Sequence, residues 1–147
     1  MKKVDIYTDG ACSGNPGAGG YCAILIYNGN EKVVSGSQTE TTNNRMELFA
    51  VIQGLNALKE SCEVDVYSDS QYVTDAFNKG WIDSWKENGW KTSGKSTVKN
   101  VDLWEQLLTL LQEHQVKFIK VKGHADNEYN NRCDHIAVKE YKKLQSK

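Results

Sequence analysis

Two stretches of the chain share one alternating pattern of apolar and polar residues. Residues 4–9, Val-Asp-Ile-Tyr-Thr-Asp, place every second side chain on the same face, as a β-strand does. Residues 64–69, Val-Asp-Val-Tyr-Ser-Asp, repeat the pattern, and Gly10 is predicted to end the first strand. If the two strands pair in parallel, Asp9 and Asp69 meet at one sheet edge. Taken singly, either aspartate also fits a turn or a helix cap.

Three further stretches are predicted to be strands. Residues 21–27 are apolar, the Asn-Gly pair at 28–29 is a strong hairpin signal, and residues 31–38 return antiparallel. The first three strands therefore form an antiparallel meander that begins at the centre of the sheet. Residues 116–122 form a less regular strand. The glycine-rich segment 10–20 fits either a plain turn or a loop whose backbone approaches a ligand closely.

Four segments show helical periodicity of their apolar residues. Their predicted bounds are about 44–59, 70–79, 100–111 with Asn100 as the cap, and 129–144. Glu47 falls in the first turn of the first helix, and Asp134 lies near the start of the last. Asn44-x-x-Glu47 also fits a capping box, so Glu47 alone does not distinguish a structural role from a chemical one.

Tryptophans and lysines are interleaved between residues 81 and 99. This segment holds four lysines and only two acidic residues, and Trp81, Trp85 and Lys86 share a helix face by their spacing. Basic residues mixed with aromatic rings indicate a nucleic-acid-binding surface. The alternative is an insertion anchored by its tryptophans, with a solvated basic rim.

Composition narrows the class of protein. The 147 residues match one ordinary domain, and 18 basic against 19 acidic residues give a net charge of −1, so bulk charge predicts no polyanionic partner. No apolar run approaches the roughly 20 residues of a membrane span, and no signal-peptide pattern precedes the first strand. The four cysteines are scattered without a C-x-x-C pair. These features predict a cytoplasmic location without membrane association.

The predicted elements bring four carboxylates toward one place: Asp9 and Asp69 at strand ends, and Glu47 and Asp134 at helix starts. The negative charges in such a cluster repel one another unless cations are present. Oxygen ligands without cysteine select Mg²⁺ or Mn²⁺, and two such ions support phosphodiester hydrolysis. His124, in a loop, fits a proton shuttle as well as an ordinary surface histidine.

The order of short motifs along the whole chain resembles type 1 ribonuclease H. These motifs are Tyr-Thr-Asp-Gly at 7–10, Asn-Pro-Gly at 15–17, Asn-Asn-Arg-Met-Glu at 43–47, Ser-Asp-Ser-Gln-Tyr at 68–72, the insertion at 81–90, Lys-Asn-Val-Asp-Leu-Trp at 99–104, Val-Lys-Gly-His at 121–124 and Asn-Arg-Cys-Asp at 131–134. The resemblance implies an α/β ribonuclease H-like fold, with a five-stranded mixed sheet flanked by helices. It also implies a single catalytic domain over residues 1–147 that includes the basic insertion at about 81–99.

The resemblance further implies cleavage of the RNA strand of an RNA–DNA hybrid, leaving 5′-phosphate and 3′-hydroxyl ends. It assigns two metal ions, Mg²⁺ or Mn²⁺, to Asp9, Glu47, Asp69 and Asp134, and proton transfer or product release to His124. The minor groove of the hybrid, where 2′-hydroxyls mark RNA, would be lined by Cys12, Asn15, Asn43, Asn44 and Gln71. The DNA strand would be gripped by Thr42, Trp81, Trp85, Lys86, Lys91, Lys95 and Lys99.

Two other functions remain open at this stage. One is a related metal-dependent nuclease or integrase-like enzyme on the same fold. The other is a catalytically inactive hybrid-binding module, which would be expected to lack at least one of the four carboxylates. No obligate protein partner is evident in the sequence, and a monomer is expected.

Overall fold

A computed structural model describes residues 1–91, 97–122 and 127–145 of the chain. Within these ranges the strands are β1 (Lys2–Cys12), β2 (Gly17–Tyr27), β3 (Asn30–Thr41), β4 (Cys62–Ser68) and β5 (Gln115–Lys120). The helices are α1 (Asn43–Asn56), α2 (Gln71–Asn78), α3 (Trp81–Glu87), α4 (Val101–Glu113) and α5 (Glu128–Gln145). None of these helices is long and apolar enough to cross a membrane.

The five strands form one mixed sheet in the order β3-β2-β1-β4-β5. β1 lies at the centre, antiparallel to β2 and parallel to β4, and β4 is parallel to β5. Asn28 and Gly29 both have positive φ, as the tight hairpin between β2 and β3 requires. The sequence prediction of a five-stranded mixed sheet with an antiparallel meander at 1-2-3 is therefore confirmed.

The prediction that Gly10 ends the first strand was wrong. β1 continues to Cys12 because β2 begins already at Gly17 and pairs with this extension, Gly10 opposite Tyr21 and Cys12 opposite Gly19. The glycine-rich segment is therefore mostly strand, and only residues 13–16 connect β1 to β2. Glycine weakens a strand intrinsically, but the hydrogen bonds of a long hairpin-like pairing outweigh that preference here.

Two helix starts also differ from the prediction. α1 is capped by Thr42, whose Oγ1 accepts a hydrogen bond from the Arg45 amide at 3.3 Å, so the capping box at Asn44 does not form. Glu47 consequently lies in the second turn of α1. α5 begins at Glu128, which places Asp134 in its second turn as well.

The two faces of the sheet are covered unequally. One face packs against α1, α2 and α4 in a large apolar core that includes the fully buried Trp104. The other face packs against α5 over a small cluster of four buried residues, Cys22, Ile24, Cys133 and Ala137. Because Gly20 has no side chain, α5 can approach β2 closely: a Cβ there would overlap the Ala137 carbonyl.

The segment that follows α2 mixes core and surface. Gly80, with φ of 75°, ends α2, and α3 begins at Trp81. Trp81 is 38% exposed, whereas the ring of Trp85 lies 5.7 Å from the ring of Trp104 and packs on the main core. Part of this insertion is therefore anchored by its aromatic rings, as the alternative interpretation of residues 81–99 stated.

We predict that Gly20→Ala lowers the free energy of unfolding by about 3 kcal/mol, because a methyl group there forces α5 away from β2. The measurement is urea unfolding followed by circular dichroism. Gly36→Ala is the matched control, since it lies in the paired strand and the three atoms nearest to a Cβ there belong to the Tyr21 side chain, not to a backbone. Equal losses for both variants would contradict the close approach of α5.

Candidate active site

Three carboxylates converge where β1 and β4 separate. The parallel ladder between these strands ends at Tyr7 and Tyr67, and Asp9 and Asp69 follow shortly after on each chain segment. Glu47 reaches the same point from the second turn of α1. One carboxylate oxygen from each of Asp9, Glu47 and Asp69 lies within 4.8 Å of the other two. Asp9 and Glu47 are buried.

Gly10 allows α1 to come this close to β1. A Cβ at residue 10 would lie closer than 3.0 Å to backbone atoms of Met46 and Glu47, so only glycine fits. The amide of Gly10 donates a hydrogen bond to Oδ1 of Asp9 at 2.9 Å and another to Oε1 of Glu47. One backbone group therefore orients two of the three carboxylates.

Electrostatics in this group favour protonation when no cation is present. Burial raises the pKa of Asp9 most, and the negative charges of Glu47, Asp69 and Asp134 raise it further. Burial also raises the pKa of Glu47, against hydrogen bonds from Asp9 and Gly10 that lower it. Among the described residues no lysine or arginine forms an ion pair with any of these carboxylates.

Asp134 stands slightly apart from the other three. It is exposed on α5 and lies outside the 4.8 Å group, but it lines the same cavity of about 380 Å³. Its charge contributes to the raised pKa of Asp9. The structure thus brings all four predicted carboxylates to one cavity, three of them as a compact group.

The donor set fits a hard divalent cation. Carboxylate oxygens are the ligands that Mg²⁺ and Mn²⁺ prefer, and no cysteine or described histidine lines the cavity. A cation would also neutralise the repulsion that raises the pKa of Asp9. His124, the predicted proton shuttle, lies outside the described residues.

A polar surface leads away from the carboxylates. Asn43 and Asn44, both exposed at the start of α1, line the carboxylate cavity together with Gln71, and they also line a second cavity of about 490 Å³. The second cavity contains four more of the predicted nucleic-acid-binding residues, Cys12, Asn15, Thr42 and Lys99. Asn15 is fixed there because its Oδ1 accepts a hydrogen bond from the Asn43 amide at 2.9 Å.

The remaining predicted binding residues lie on the insertion. Trp81, Trp85 and Lys86 belong to α3, and Lys91 pairs with Thr97 in an isolated antiparallel bridge. None of them lines either cavity. Lys95 lies outside the described residues.

Sequence reasoning missed three asparagines that line these cavities: Asn131, which lines the carboxylate cavity, and two whose surroundings are unusual, Asn100 and Asn130. Asn100, predicted only as a cap, has φ of 64° and makes no capping hydrogen bond; its side chain instead bonds Arg45 at 3.2 Å and the Tyr72 hydroxyl at 3.1 Å. It lines the second cavity beside Lys99. Asn130 lines the carboxylate cavity, is 3% exposed, and its Oδ1 has no hydrogen-bond partner among the described residues. Only proximity to Lys99 and Asp134 in sequence could have indicated either residue.

We predict that Asp9→Asn melts higher than the wild type in chelator at neutral pH. The folded wild type has a raised Asp9 pKa, so the ionised carboxylate costs stability above the unfolded pKa of about 3.9. Each pH unit between the unfolded pKa and the working pH corresponds to about 1.4 kcal/mol, up to the full size of the shift. Asparagine removes the charge, keeps the shape and can still accept the bond from the Gly10 amide.

The sign of the pH dependence separates this explanation from a general packing effect. The advantage of Asp9→Asn shrinks as pH falls toward the unfolded pKa of about 3.9, because the unfolded wild-type carboxyl then also becomes protonated. Added Mg²⁺ also narrows it, because the ion binds only the folded wild-type cluster. Thermal melts of both proteins at pH 4 and pH 7, with chelator and with Mg²⁺, test this. A lower melting temperature for Asp9→Asn in chelator at pH 7 would show that Asp9 is a structural residue.

Comparison with known proteins agrees with this geometry. A family model described as RNase H matches residues 1–142. A ribonuclease H of Acetivibrio thermocellus is 61% identical over 147 residues, covering 100% of both chains. Among solved structures, LC9-RNase H1, a type 1 RNase H with the type 2 active-site motif, superposes with a TM-score of 0.81 at 29% identity, over 97% of this chain and 74% of that one.

A second solved structure has the same fold. LC11-RNase H1, crystallised in complex with an RNA/DNA hybrid, superposes with a TM-score of 0.73 over 97% of this chain and 99% of that one. Its sequence identity is 24%, so this likeness concerns the fold alone. The matches to the family model and to the Acetivibrio thermocellus protein extend over nearly the whole chain, and the chain therefore belongs to the RNase H family.

Proposed function

We propose that this chain is an endonuclease that hydrolyses the RNA strand of RNA–DNA hybrids, leaving 5′-phosphate and 3′-hydroxyl ends. The observation that carries the proposal is the compact group of Asp9, Glu47 and Asp69 beside a surface of exposed amides. Full-length relatives that are named ribonuclease H support it. All four carboxylates are present in one cavity, which argues against an inactive hybrid-binding module.

The proposal assigns the metal site to Asp9, Glu47, Asp69 and Asp134, with Mg²⁺ as the main cofactor and Mn²⁺ as a substitute. When bound, two such ions activate a water molecule and stabilise the leaving oxygen. The chain's own contribution is to fix the orientation of the carboxylates before a metal ion binds. The Gly10 amide orients Asp9 and Glu47, and both of these carboxylates are buried.

Selectivity for RNA is assigned to the amide surface next to the carboxylates. Side-chain amides both donate and accept hydrogen bonds, as a 2′-hydroxyl does, and a wide minor groove presents that group. Asn43, Asn44 and Gln71 lie beside the carboxylates, while Cys12 and Asn15 lie further along the second cavity. The direction from one cavity to the other is therefore the proposed path of the RNA strand.

The DNA strand is assigned to the far side of this path. Thr42 and Lys99 line the second cavity, and Trp81, Trp85, Lys86, Lys91 and Lys95 belong to the insertion. Lys86, Lys91 and Lys99 are exposed, so their charges are available to phosphates.

The proposal also includes proton transfer or product release by His124, a single catalytic domain over residues 1–147, a monomer and a cytoplasmic location. The four cysteines are free, which fits a reducing compartment.

We expect the purified protein to cut only the RNA strand of a labelled RNA–DNA hybrid, and only with a divalent ion. The physical reason is that the carboxylates need cations to hold a phosphate, and the amide surface needs 2′-hydroxyls. The measurement is gel analysis of a hybrid beside matched RNA–RNA and DNA–DNA duplexes, each with Mg²⁺ and with chelator. Asp9→Asn is the inactive control. Equal cutting of double-stranded DNA, or full activity in chelator, would refute the proposal.

Changing Lys86, Lys91, Lys95 and Lys99 together to alanine should flatten the salt dependence of hybrid binding. Each lost phosphate contact reduces the log–log slope by roughly 0.9. The measurement is fluorescence anisotropy at several salt concentrations, in chelator to prevent cleavage. The control changes four exposed lysines outside both cavities and the insertion, Lys32, Lys59, Lys117 and Lys142, with the same loss of charge. If both quadruple variants keep the wild-type slope, the insertion carries only a solvated basic rim.

A further inference from the structure

The repeated strand motif carries a tyrosine two residues before each aspartate, and the proposed function uses neither ring. Tyr7 and Tyr67 are direct partners in the parallel ladder, and their rings stack with centroids 4.5 Å apart and an interplanar angle of 11°. Tyr129, in the first turn of α5, also stacks on Tyr7 with centroids 5.0 Å apart. These three rings, the tyrosine stack, join β4, β1 and α5 directly below the carboxylates.

Tyr7 holds the beginning of α5 in two further ways. Its carbonyl oxygen accepts a hydrogen bond from the Cys133 thiol at 3.2 Å. The Asn127 side chain also lies close enough to the Tyr7 hydroxyl to lower its pKa, against the larger raising effect of burial. Asn127 in turn accepts bonds from the amides of Asn130 and Asn131 at 3.0 Å and 3.1 Å, so it caps the helix.

These contacts bear directly on Asp134. Tyr7 accepts the hydrogen bond from Cys133, the residue directly before Asp134. Tyr7 also lies on β1, two residues before Asp9. Asp134 is exposed, and the apolar cluster beneath α5 contains only four buried residues. The position of Asp134 therefore depends on how α5 packs against the sheet. Among these packing contacts, the tyrosine stack is the one nearest to the carboxylate cavity.

We propose that Tyr7 and Tyr129 are positioning residues that, through the tyrosine stack, hold Asp134 within reach of the metal site formed with Asp9, Glu47 and Asp69. This inference rests on the proposed role of Asp134 as a metal ligand. Loss of the Tyr129 ring acts on the fourth carboxylate alone, because Tyr129 lies on α5, whereas Asp9, Glu47 and Asp69 are placed by β1, α1 and β4. Loss of the stack should thus weaken metal binding by the amount that Asp134 contributes and no more.

The test is calorimetric titration of Mg²⁺ into the full chain. Tyr129→Ala removes one ring of the stack from the half-buried face of α5, and Tyr129→Phe keeps the ring and loses only the hydroxyl. Removing groups that orient metal ligands commonly weakens metal affinity by about 10- to 100-fold, and we expect about 3- to 10-fold for Tyr129→Ala because it acts through α5. Tyr129→Phe should bind Mg²⁺ as the wild type does.

A background without the Asp134 carboxylate separates positioning from a general loss of stability. In Asp134→Asn, Tyr129→Ala should cause no further loss of Mg²⁺ affinity, although its effect on melting in chelator should be the same in both backgrounds. The inference is overturned if Tyr129→Ala leaves Mg²⁺ affinity unchanged, or weakens it equally in both backgrounds. If Asp134→Asn itself binds Mg²⁺ as tightly as the wild type, Asp134 is not a ligand, and both its proposed role and this inference fail. Hydrolysis of the hybrid is tested separately and does not enter this measurement.

Discussion

Parallel pairing of β1 with β4 brings aspartates of the two strands close together, so their negative charges repel. The site depends on what compensates this repulsion. At the start of the repeated motif Asp5 faces Asp65, and the Lys3 ammonium lies 3.3 Å from one carboxylate and 2.7 Å from the other. At the end of the motif Asp9 and Asp69 meet Glu47 instead of a lysine. The same two strands therefore carry one pair of carboxylates bridged by a lysine and one group that needs protons or metal ions.

The sequence was sufficient for those features that follow from local periodicity and from pairing in register. Alternation in residues 4–9 and 64–69 predicted two strands, and their parallel pairing predicted that Asp9 and Asp69 meet. The Asn-Gly turn predicted the hairpin, and helical spacing predicted the amphipathic helix that carries Glu47. Each of these inferences needs only a residue and its near neighbours, or one assumption about which strands are adjacent.

Features decided by distant contacts could not be predicted in this way. β1 extends through Gly10 because β2 supplies hydrogen-bond partners, which no property of Gly10 itself indicates. Asn100 adopts a left-handed backbone because its side chain joins Arg45 of α1 to Tyr72 of α2. Arg45 also forms two hydrogen bonds with Asp102, at 3.0 Å and 2.8 Å. This network fixes Lys99 and Asn100 beside the start of α1, although the residues concerned lie far apart in sequence.

Unequal packing on the two faces of the sheet explains why the carboxylates do not form one compact group of four. The face that carries Val4 and Ile6 packs on the large core, so α1 is held firmly, and contact with Gly10 leaves Glu47 little freedom. α5 covers the other face over only four buried residues, aided by Gly20 and the tyrosine rings. Asp9, Glu47 and Asp69 are thus placed by elements that pack on the large core. The free energy of this packing compensates the repulsion among the three carboxylates. Asp134, on the helix that packs over the smaller apolar cluster, lies outside this compact group.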